Sequence, residues 1–173
     1  MNHQKLITLV TAALMAALTC VGTLIIHIPS PTGYIHPGDA FVILSGIFLG
    51  PFYGGLAAGI GSMLADLLSG YANYALATFL IKALAAIVAY YAYRHIRFLS
   101  IIIASTLAGV IVTSGYFLFD SFISGSGLAS AIKGIPFNLV QNLSGIIIAT
   151  ILLPLLLLVP QVKSMVQNQQ HHI

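Results

Sequence analysis

The fold is decided by one apolar block, Asp39–Leu68, which reads DAFVILSGIFLGPFYGGLAAGIGSMLADLL. Its 30 residues exceed one comfortable membrane crossing, because about 20 apolar residues at ~1.5 Å each span the hydrocarbon core. The Gly50-Pro51 pair interrupts the block, and both residue types favour a turn over a continuous helix. We therefore predict two short helices, at about 39–50 and 54–69. A single helix kinked at Pro51 is the alternative.

Composition extends this interpretation to the whole chain. Of its 173 residues, 59% are hydrophobic and 5% are charged, and the mean hydropathy is +1.04. A soluble domain carries about 25% charged residues, so a free soluble enzyme, a disordered tail and a nucleic-acid module are excluded. The single cysteine, Cys20, excludes an internal disulfide and any cysteine-based metal site. An integral membrane protein of one domain, residues 1–173, remains.

Four further apolar segments are long enough to cross a membrane. Together with the split block they predict an all-α integral membrane protein with six transmembrane helices. These four helices are expected at about 5–28, 75–93, 99–119 and 136–159. Loops are expected at Pro29–Gly33, Gly70–Tyr74 and Ser121–Gly134, and a polar tail follows Pro160.

Positive charges predict the orientation of the bundle. Lys and Arg concentrate in cytoplasmic loops. With six spans and the N-terminus inside, four cations lie on the cytoplasmic side: Lys5, Arg94, Arg97 and Lys163. Only Lys82 and Lys133 lie toward the outer half. Both termini are therefore predicted to be cytoplasmic. The expected location is the bacterial plasma membrane, crossed several times.

The polar residues concentrate toward the outer end of the predicted bundle. Ionisable groups at membrane depth are costly and normally face a bundle interior or a wet cavity. Their placement therefore predicts a polar cup that opens outward. The candidate substrate-binding residues are Asp39, Asp66, Tyr71, Asn73, Tyr74, Lys82, Tyr116, Asn138, Gln141 and Asn142.

Helical spacing places three carboxamides on one face of the last span. Asn138, Gln141, Asn142 and Gly145 follow the spacing i, i+3, i+4, i+7. Hydrogen bonding between membrane helices is the alternative role. Three carboxamides near the outer end exceed what packing needs, so a ligand-facing role and a packing role both remain open for Asn138 and Asn142, and packing is favoured for Gln141.

The acidic residues have competing interpretations. Asp66 ends one predicted span and Lys82 begins the next, so the two can meet as an ion pair that either holds the loop or lines the site. Asp39 opens a helix, where an aspartate side chain is a good N-cap. Site residue and cap both remain open for Asp39.

The first span carries two pairs of alanines spaced four residues apart, Ala12/Ala16 and Ala13/Ala17. Small residues at this spacing let another helix approach closely. The partner is either a helix of this bundle or a helix of another membrane protein, and the cytoplasmic half of the span favours the latter.

The absent motifs point to a binding subunit. The sequence has no Walker sequence, no HExxH, no GxSxG and no glutamate. We therefore predict no catalytic residue, no metal site and no cofactor. A chain this short without a nucleotide site cannot drive active transport alone, so we expect it to borrow energy from partner proteins.

The sequence resembles the S components of energy-coupling factor (ECF) transporters over nearly its whole length. The resembling stretches are Ala12-x-x-x-Ala16, Gly38–Leu44, Gly50-Pro51-x-x-Gly54-Gly55, Gly61-Ser62-x-x-Ala65-Asp66-Leu67-Leu68-x-Gly70-Tyr71, Thr78-x-x-Ile81-Lys82 and Pro136-x-Asn138-x-x-Gln141. The resemblance implies six helices, a vitamin captured near the outer face under the loop between helices one and two, and an ATP-driven complex with one membrane scaffold subunit and two ATPase subunits. It also implies that Ala12 and Ala16, or Ala13 and Ala17, contact the scaffold.

The expected ligand is a small water-soluble vitamin. Tyr, Asn and Asp side chains suit a small ring with hydroxyl groups, which favours a vitamin B6 compound or hydroxymethylpyrimidine over riboflavin and pantothenate. No Arg lies in the outer half, which counts against an anionic ligand. A small structural membrane protein without a ligand is the alternative class of function.

Overall fold

The computed structural model describes residues 3–26, 28–30, 33–96 and 99–170. Pro31 and Thr32 of the first predicted loop, and Arg97, one of the cations predicted to be cytoplasmic, lie outside these residues. The described chain forms α1 His3–Ile25, β1 Ile28–Ser30, β2 Gly33–Ile35, α2 Asp39–Leu68, α3 Ala72–His95, α4 Ser100–Phe122, α5 Leu128–Leu156 and α6 Pro160–Gln170.

α2 is two helical segments, because the chain turns back at Gly50. Gly50 has φ 77° and ψ −176°, a conformation that glycine adopts without strain. Beyond the turn, a Cβ on Gly54 would lie 2.8 Å from the Cα of Gly46. In one straight helix these two positions would be about 12 Å apart. The observed bend therefore agrees with the predicted pair of segments and not with a merely kinked helix.

α2 lies at the centre of the bundle. It packs against α1, α3 and α5. α4 packs between α3 and α5 and closes the ring of helices. Glycines allow the closest approaches: a Cβ on Gly46 would collide with the carbonyl oxygen of Ala86, and one on Gly61 with that of Ala16. Close backbone packing between small residues is typical of membrane helices.

The outer faces of the helices are apolar. Leu14, Leu76, Val110 and Ile151 are each more than half exposed. Five helices of the described chain, α1 to α5, are long and apolar enough to cross a membrane. Such a surface faces lipid, since contiguous exposed apolar area of this extent is not found on soluble monomers.

The structure differs from the predicted element bounds at three places. α1 ends at Ile25, before the predicted bound of 28, and β1 and β2 form a small antiparallel pair where the end of that helix and a loop were expected. α5 begins at Leu128, although the prediction held Ser121–Gly134 as a loop and began the helix at Pro136. Proline within a membrane helix is tolerated, because neighbouring groups satisfy the freed backbone. The predicted polar tail contains α6, whose Val166 is buried against the core.

The contact between Gly46 and Ala86 predicts a steric limit on this packing. In Gly46→Ala the new methyl group meets the Ala86 carbonyl, so the free energy of unfolding should fall by about 1–3 kcal/mol, the usual cost of overpacking. Unfolding of the purified protein in detergent measures this. Gly33→Ala is the control, because nothing lies within 4 Å of its added Cβ. Equal stability of the two variants would contradict the packing.

Candidate functional site

A cavity lies under the β1–β2 pair, between the ends of α2, α3, α4 and α5. Its enclosed volume is about 50 Å³, and the empty space that includes its open mouth is about 510 Å³. Its lining mixes aromatic, acidic and amide side chains with parts of the strand pair. The lining residues are Ser30, Gly33, Tyr34, Ile35, His36, Asp66, Tyr71, Tyr74, Thr78, Tyr116, Asp120, Gly134, Phe137, Asn138 and Gln141.

Aromatic rings form one wall of the cavity. The Tyr34 ring centroid lies 5.0 Å from that of Tyr71 and 5.4 Å from that of His36, and Tyr74 lies 6.3 Å from Tyr71. These are the tilted and edge-on arrangements that aromatic pairs prefer. The wall therefore offers π-faces to a planar ligand.

Two carboxylates face the cavity, and each is held by a tyrosine. The Tyr34 hydroxyl donates to Asp66 at 2.6 Å, and the Tyr74 hydroxyl donates to Asp120 at 2.7 Å. Burial, and then the hydrogen bond to Asp66, raise the pKa of Tyr34 well above its usual value, so its hydroxyl stays protonated and donates. The first of these bonds ties β2 to the end of α2.

A buried ion pair lies beneath the cavity. The Lys82 ammonium pairs with Asp39, and their side chains are 0% and 5% exposed. The other Asp39 oxygen accepts a hydrogen bond from Gln141 Nε2 at 2.9 Å. The ammonium also lies 5.5 Å from the centre of the Tyr116 ring, which adds cation–π attraction. Every charge of the pair therefore has a close polar or aromatic partner.

The expected pair between Asp66 and Lys82 is wrong. Lys82 lies near the middle of α3 and not at its outer end, so it is too deep to meet Asp66, which bonds Tyr34 instead. Asp39 is deeper than predicted too, because Gly145 near the middle of α5 packs against it. Asp39 is not an N-cap either: Gly38 caps α2 without a side-chain hydrogen bond. A charge inside an apolar bundle needs a counter-charge, which decides the pairing.

The structure brings together six of the predicted site residues and separates four. The cavity is lined by Asp66, Tyr71, Tyr74, Tyr116, Asn138 and Gln141. Asp39 and Lys82 lie beneath it. Asn73 is exposed outside it. Asn142 joins α5 to α4, since its Nδ2 donates to the Gly109 carbonyl at 2.9 Å and to Thr113 at 2.8 Å.

Several lining residues were not among the predicted site residues. Tyr34 and His36 reach the cavity through the β1–β2 pair, whose register a short Pro-Gly segment does not reveal. Asp120 and Thr78 also line the cavity, and as polar residues of predicted spans they could have been included in the predicted site. An aspartate at the end of a predicted span, such as Asp120, is equally typical of a solvated helix end. In the described residues no group of three His, Cys, Asp or Glu side chains could hold a metal ion.

Comparison with known proteins identifies the family. Residues 3–157 match the family model described as "ECF-type riboflavin transporter, S component". This chain belongs to that family. It is therefore a membrane protein and the substrate-binding subunit of an ECF transporter, with no enzymatic activity of its own, as the sequence resemblance implied.

Two similar proteins accompany this family assignment. A Pyrococcus woesei protein, described as "Uncharacterized protein in gap 3'region", is 34% identical over 131 residues, which make up 74% of this chain and 86% of that protein. A solved structure, "Structure and mechanism of the S component of a bacterial ECF transporter", has a TM-score of 0.68 at 22% identity, and it covers 88% of this chain and 96% of that one. The second likeness shows that this S component has the ECF S component fold.

The buried ion pair predicts a large cost for neutralising one partner. Lys82→Met leaves the Asp39 carboxylate buried without a cation, so the free energy of unfolding should fall by about 3–5 kcal/mol. Titration with a denaturing detergent measures this. Lys133→Met is the matched control, since Lys133 is exposed and its loss should cost less than about 0.5 kcal/mol. Similar small losses in the two variants would refute a structural role for the pair.

Proposed function

We propose that this S component captures a neutral, hydroxylated aromatic vitamin at the outer face of the membrane, with riboflavin as the first candidate. The observation that carries the proposal is the cavity under the β1–β2 pair, which combines aromatic walls with two carboxylates. π-faces stack a planar ring, and carboxylates accept hydrogen bonds from ligand hydroxyl groups. The family description, which names riboflavin, supports the same ligand.

The charges of the cavity favour neutral ligands over anionic ones. Asp66 and Asp120 both line it, and no Lys or Arg is found among its described lining residues. The Lys82 ammonium, beneath the cavity, is wholly buried and paired with Asp39. A phosphate or carboxylate on the ligand would meet like charge without a counter-ion. Pantothenate and flavin mononucleotide are therefore poor ligands in this proposal.

A single-ring vitamin is the second candidate. Tyr34 reaches across the cavity to Asp66, and its ring packs against both Tyr71 and His36. This closed arrangement narrows the space, which favours a small pyridine or pyrimidine such as a vitamin B6 compound or hydroxymethylpyrimidine. Riboflavin would need the strand pair to lie farther from α2.

We also propose that the chain crosses the membrane six times with both termini cytoplasmic. The turn at Gly50 supports two short crossings within α2. The cations of the helix ends support the orientation: Arg94 closes α3, and Lys163 lies on α6, which packs on α2. The cavity then opens to the outside, where the vitamin is captured.

Delivery of the vitamin needs partners in this proposal. The family implies association with an ECF membrane scaffold and ATPase subunits, and we propose that α1 docks on the scaffold. Ala13 and Ala17 are exposed on α1, whereas Ala12 and Ala16 pack against the core of this chain. Of the two alanine pairs, Ala13/Ala17 is therefore the docking pair. The ATPase subunits would supply the energy for release inside.

The ligand proposal predicts flavin binding that depends on the cavity. Riboflavin added to the purified protein should lose fluorescence as its ring stacks on tyrosine. Asn138→Leu, inside the cavity, should weaken its affinity about tenfold, the value of one buried hydrogen bond. Asn73→Leu makes the same chemical change outside the cavity and should leave affinity within twofold. Fluorescence titration measures both.

The same titration decides between the candidate ligands. Riboflavin is expected to bind at least tenfold more tightly than flavin mononucleotide. Binding of pyridoxine or hydroxymethylpyrimidine to a protein that does not bind riboflavin would favour the second candidate. No binding by any of the four, or tighter binding of flavin mononucleotide, would contradict the proposed site.

The docking proposal predicts different outcomes for the two alanine pairs. Ala13→Leu with Ala17→Leu adds bulk to the exposed face, so co-purification with co-expressed scaffold and ATPase subunits should fall severalfold while stability is unchanged. Ala12→Leu with Ala16→Leu should instead destabilise the isolated S component, because the Ala16 backbone packs on Gly61. Full assembly of the first variant would contradict docking through this face.

A further inference from the structure

Gln141 is the residue at which the cavity, the strand pair and the buried ion pair meet. It lines the cavity and is 3% exposed. Its Nε2 donates to Asp39 at 2.9 Å, and its Oε1 accepts a hydrogen bond from the backbone N–H of His36 at 3.3 Å. Both ends of the amide are thus engaged within the protein.

This hydrogen bonding commits one N–H and the oxygen of the amide within the protein and leaves one N–H. A primary amide has two N–H donors and one carbonyl acceptor. Asp39 and His36 take one donor and the acceptor, and a ligand that claimed either would leave a buried group unsatisfied at a cost. The sequence placed Gln141 among the residues that touch substrate, but the geometry favours an indirect role.

We propose that Gln141 is a positioning residue that latches the β1–β2 pair over the cavity by tying the His36 backbone to the Asp39–Lys82 ion pair. The proposal rests on the proposed function, since it assumes that this cavity holds the vitamin. Gln141 then sets how long the ligand is retained, without supplying a ligand hydrogen bond.

The contacts around His36 link its hydrogen bond with Gln141 to the β1–β2 pair and the cavity wall. His36 directly follows β2, and its ring lies against Tyr34, which bonds Asp66. Its Nδ1 accepts a hydrogen bond from the Gly38 N–H at 3.2 Å, at the start of α2. Release of His36 from Gln141 therefore loosens Tyr34 and the cavity wall together.

The ion pair fixes the orientation of the Gln141 side-chain amide. Asp39 accepts from two donors, Lys82 and Gln141, because it is a buried carboxylate. The amide of Gln141 must then turn its nitrogen to Asp39, which leaves its oxygen toward His36. The buried charge thus orients an acceptor that holds the strand pair, in addition to Asp66, which accepts from Tyr34.

A reciprocal exchange tests this arrangement. D39N leaves Lys82 without a carboxylate, and Q141E puts two carboxylates side by side, so each single variant should break the latch. The double variant D39N/Q141E again has one carboxylate, one amide and one ammonium, and its position 141 still offers an oxygen to His36. Q141L removes the latch outright, and Gln161→Leu, at an exposed position of α6, is the matched control.

Two readouts separate the latch from general stability. Hydrogen exchange of the backbone amides in segment 28–36, in protein without ligand, should become about tenfold faster in Q141L, D39N and Q141E. Dissociation of riboflavin should become faster by a similar factor. Both rates should return to within about threefold of wild type in D39N/Q141E and stay at wild type in Gln161→Leu.

The outcomes that overturn the latch are defined by the same measurements. Wild-type exchange of segment 28–36 in a folded Q141L contradicts it. If Q141L does not fold, the double variant decides, and exchange as fast in D39N/Q141E as in the single variants contradicts it. Failure of wild-type protein to bind any vitamin refutes the proposed function instead, and the ligand-free exchange still tests the latch.

Discussion

An ammonium group and a carboxylate lie in the apolar interior of this bundle, almost wholly shielded from water. Removing two charges from water costs several kcal/mol per ion, and only close pairing with further hydrogen bonds offsets that cost. Lys82 from α3, Asp39 from α2 and Gln141 from α5 meet this requirement together. These contacts fix the three helices relative to one another at the depth where the cavity begins. The ion pair thus forms the floor of the cavity.

Glycine and alanine make that meeting possible. Gly145 lets α5 approach Asp39, and Gly46 lets α2 lie against the Ala86 backbone. The turn at Gly50 returns the chain so that α2 contributes both the deep Asp39 and the outer Asp66. α2 therefore supplies one acidic residue, Asp39, to the floor of the cavity and a second, Asp66, to its wall. This explains how a chain with so few charged residues concentrates polarity at a single site.

The sequence predicts the helical, membrane-embedded class because hydropathy and length depend on single segments. It also predicts the break at Gly50-Pro51, where local backbone preference is strong. It does not predict that Lys82 pairs with Asp39 instead of Asp66, since that choice depends on the relative depth of two helices. Likewise Tyr34 enters the site only through the register of β1 and β2, which is set by tertiary contacts with Asp66 and Gln141. Asn142 follows the same helical spacing as Asn138 and Gln141, yet α4 is its partner, because neighbouring helices decide which side of a helix meets the cavity.

Native mass spectrometry of the protein, purified in a mild detergent from cells grown with a vitamin mixture, tests the central claim most directly. The account predicts one added mass per chain that corresponds to a neutral aromatic vitamin and that is released on denaturation. An added phosphorylated or carboxylated vitamin, or protein that carries only lipid after exposure to saturating vitamin, would contradict it.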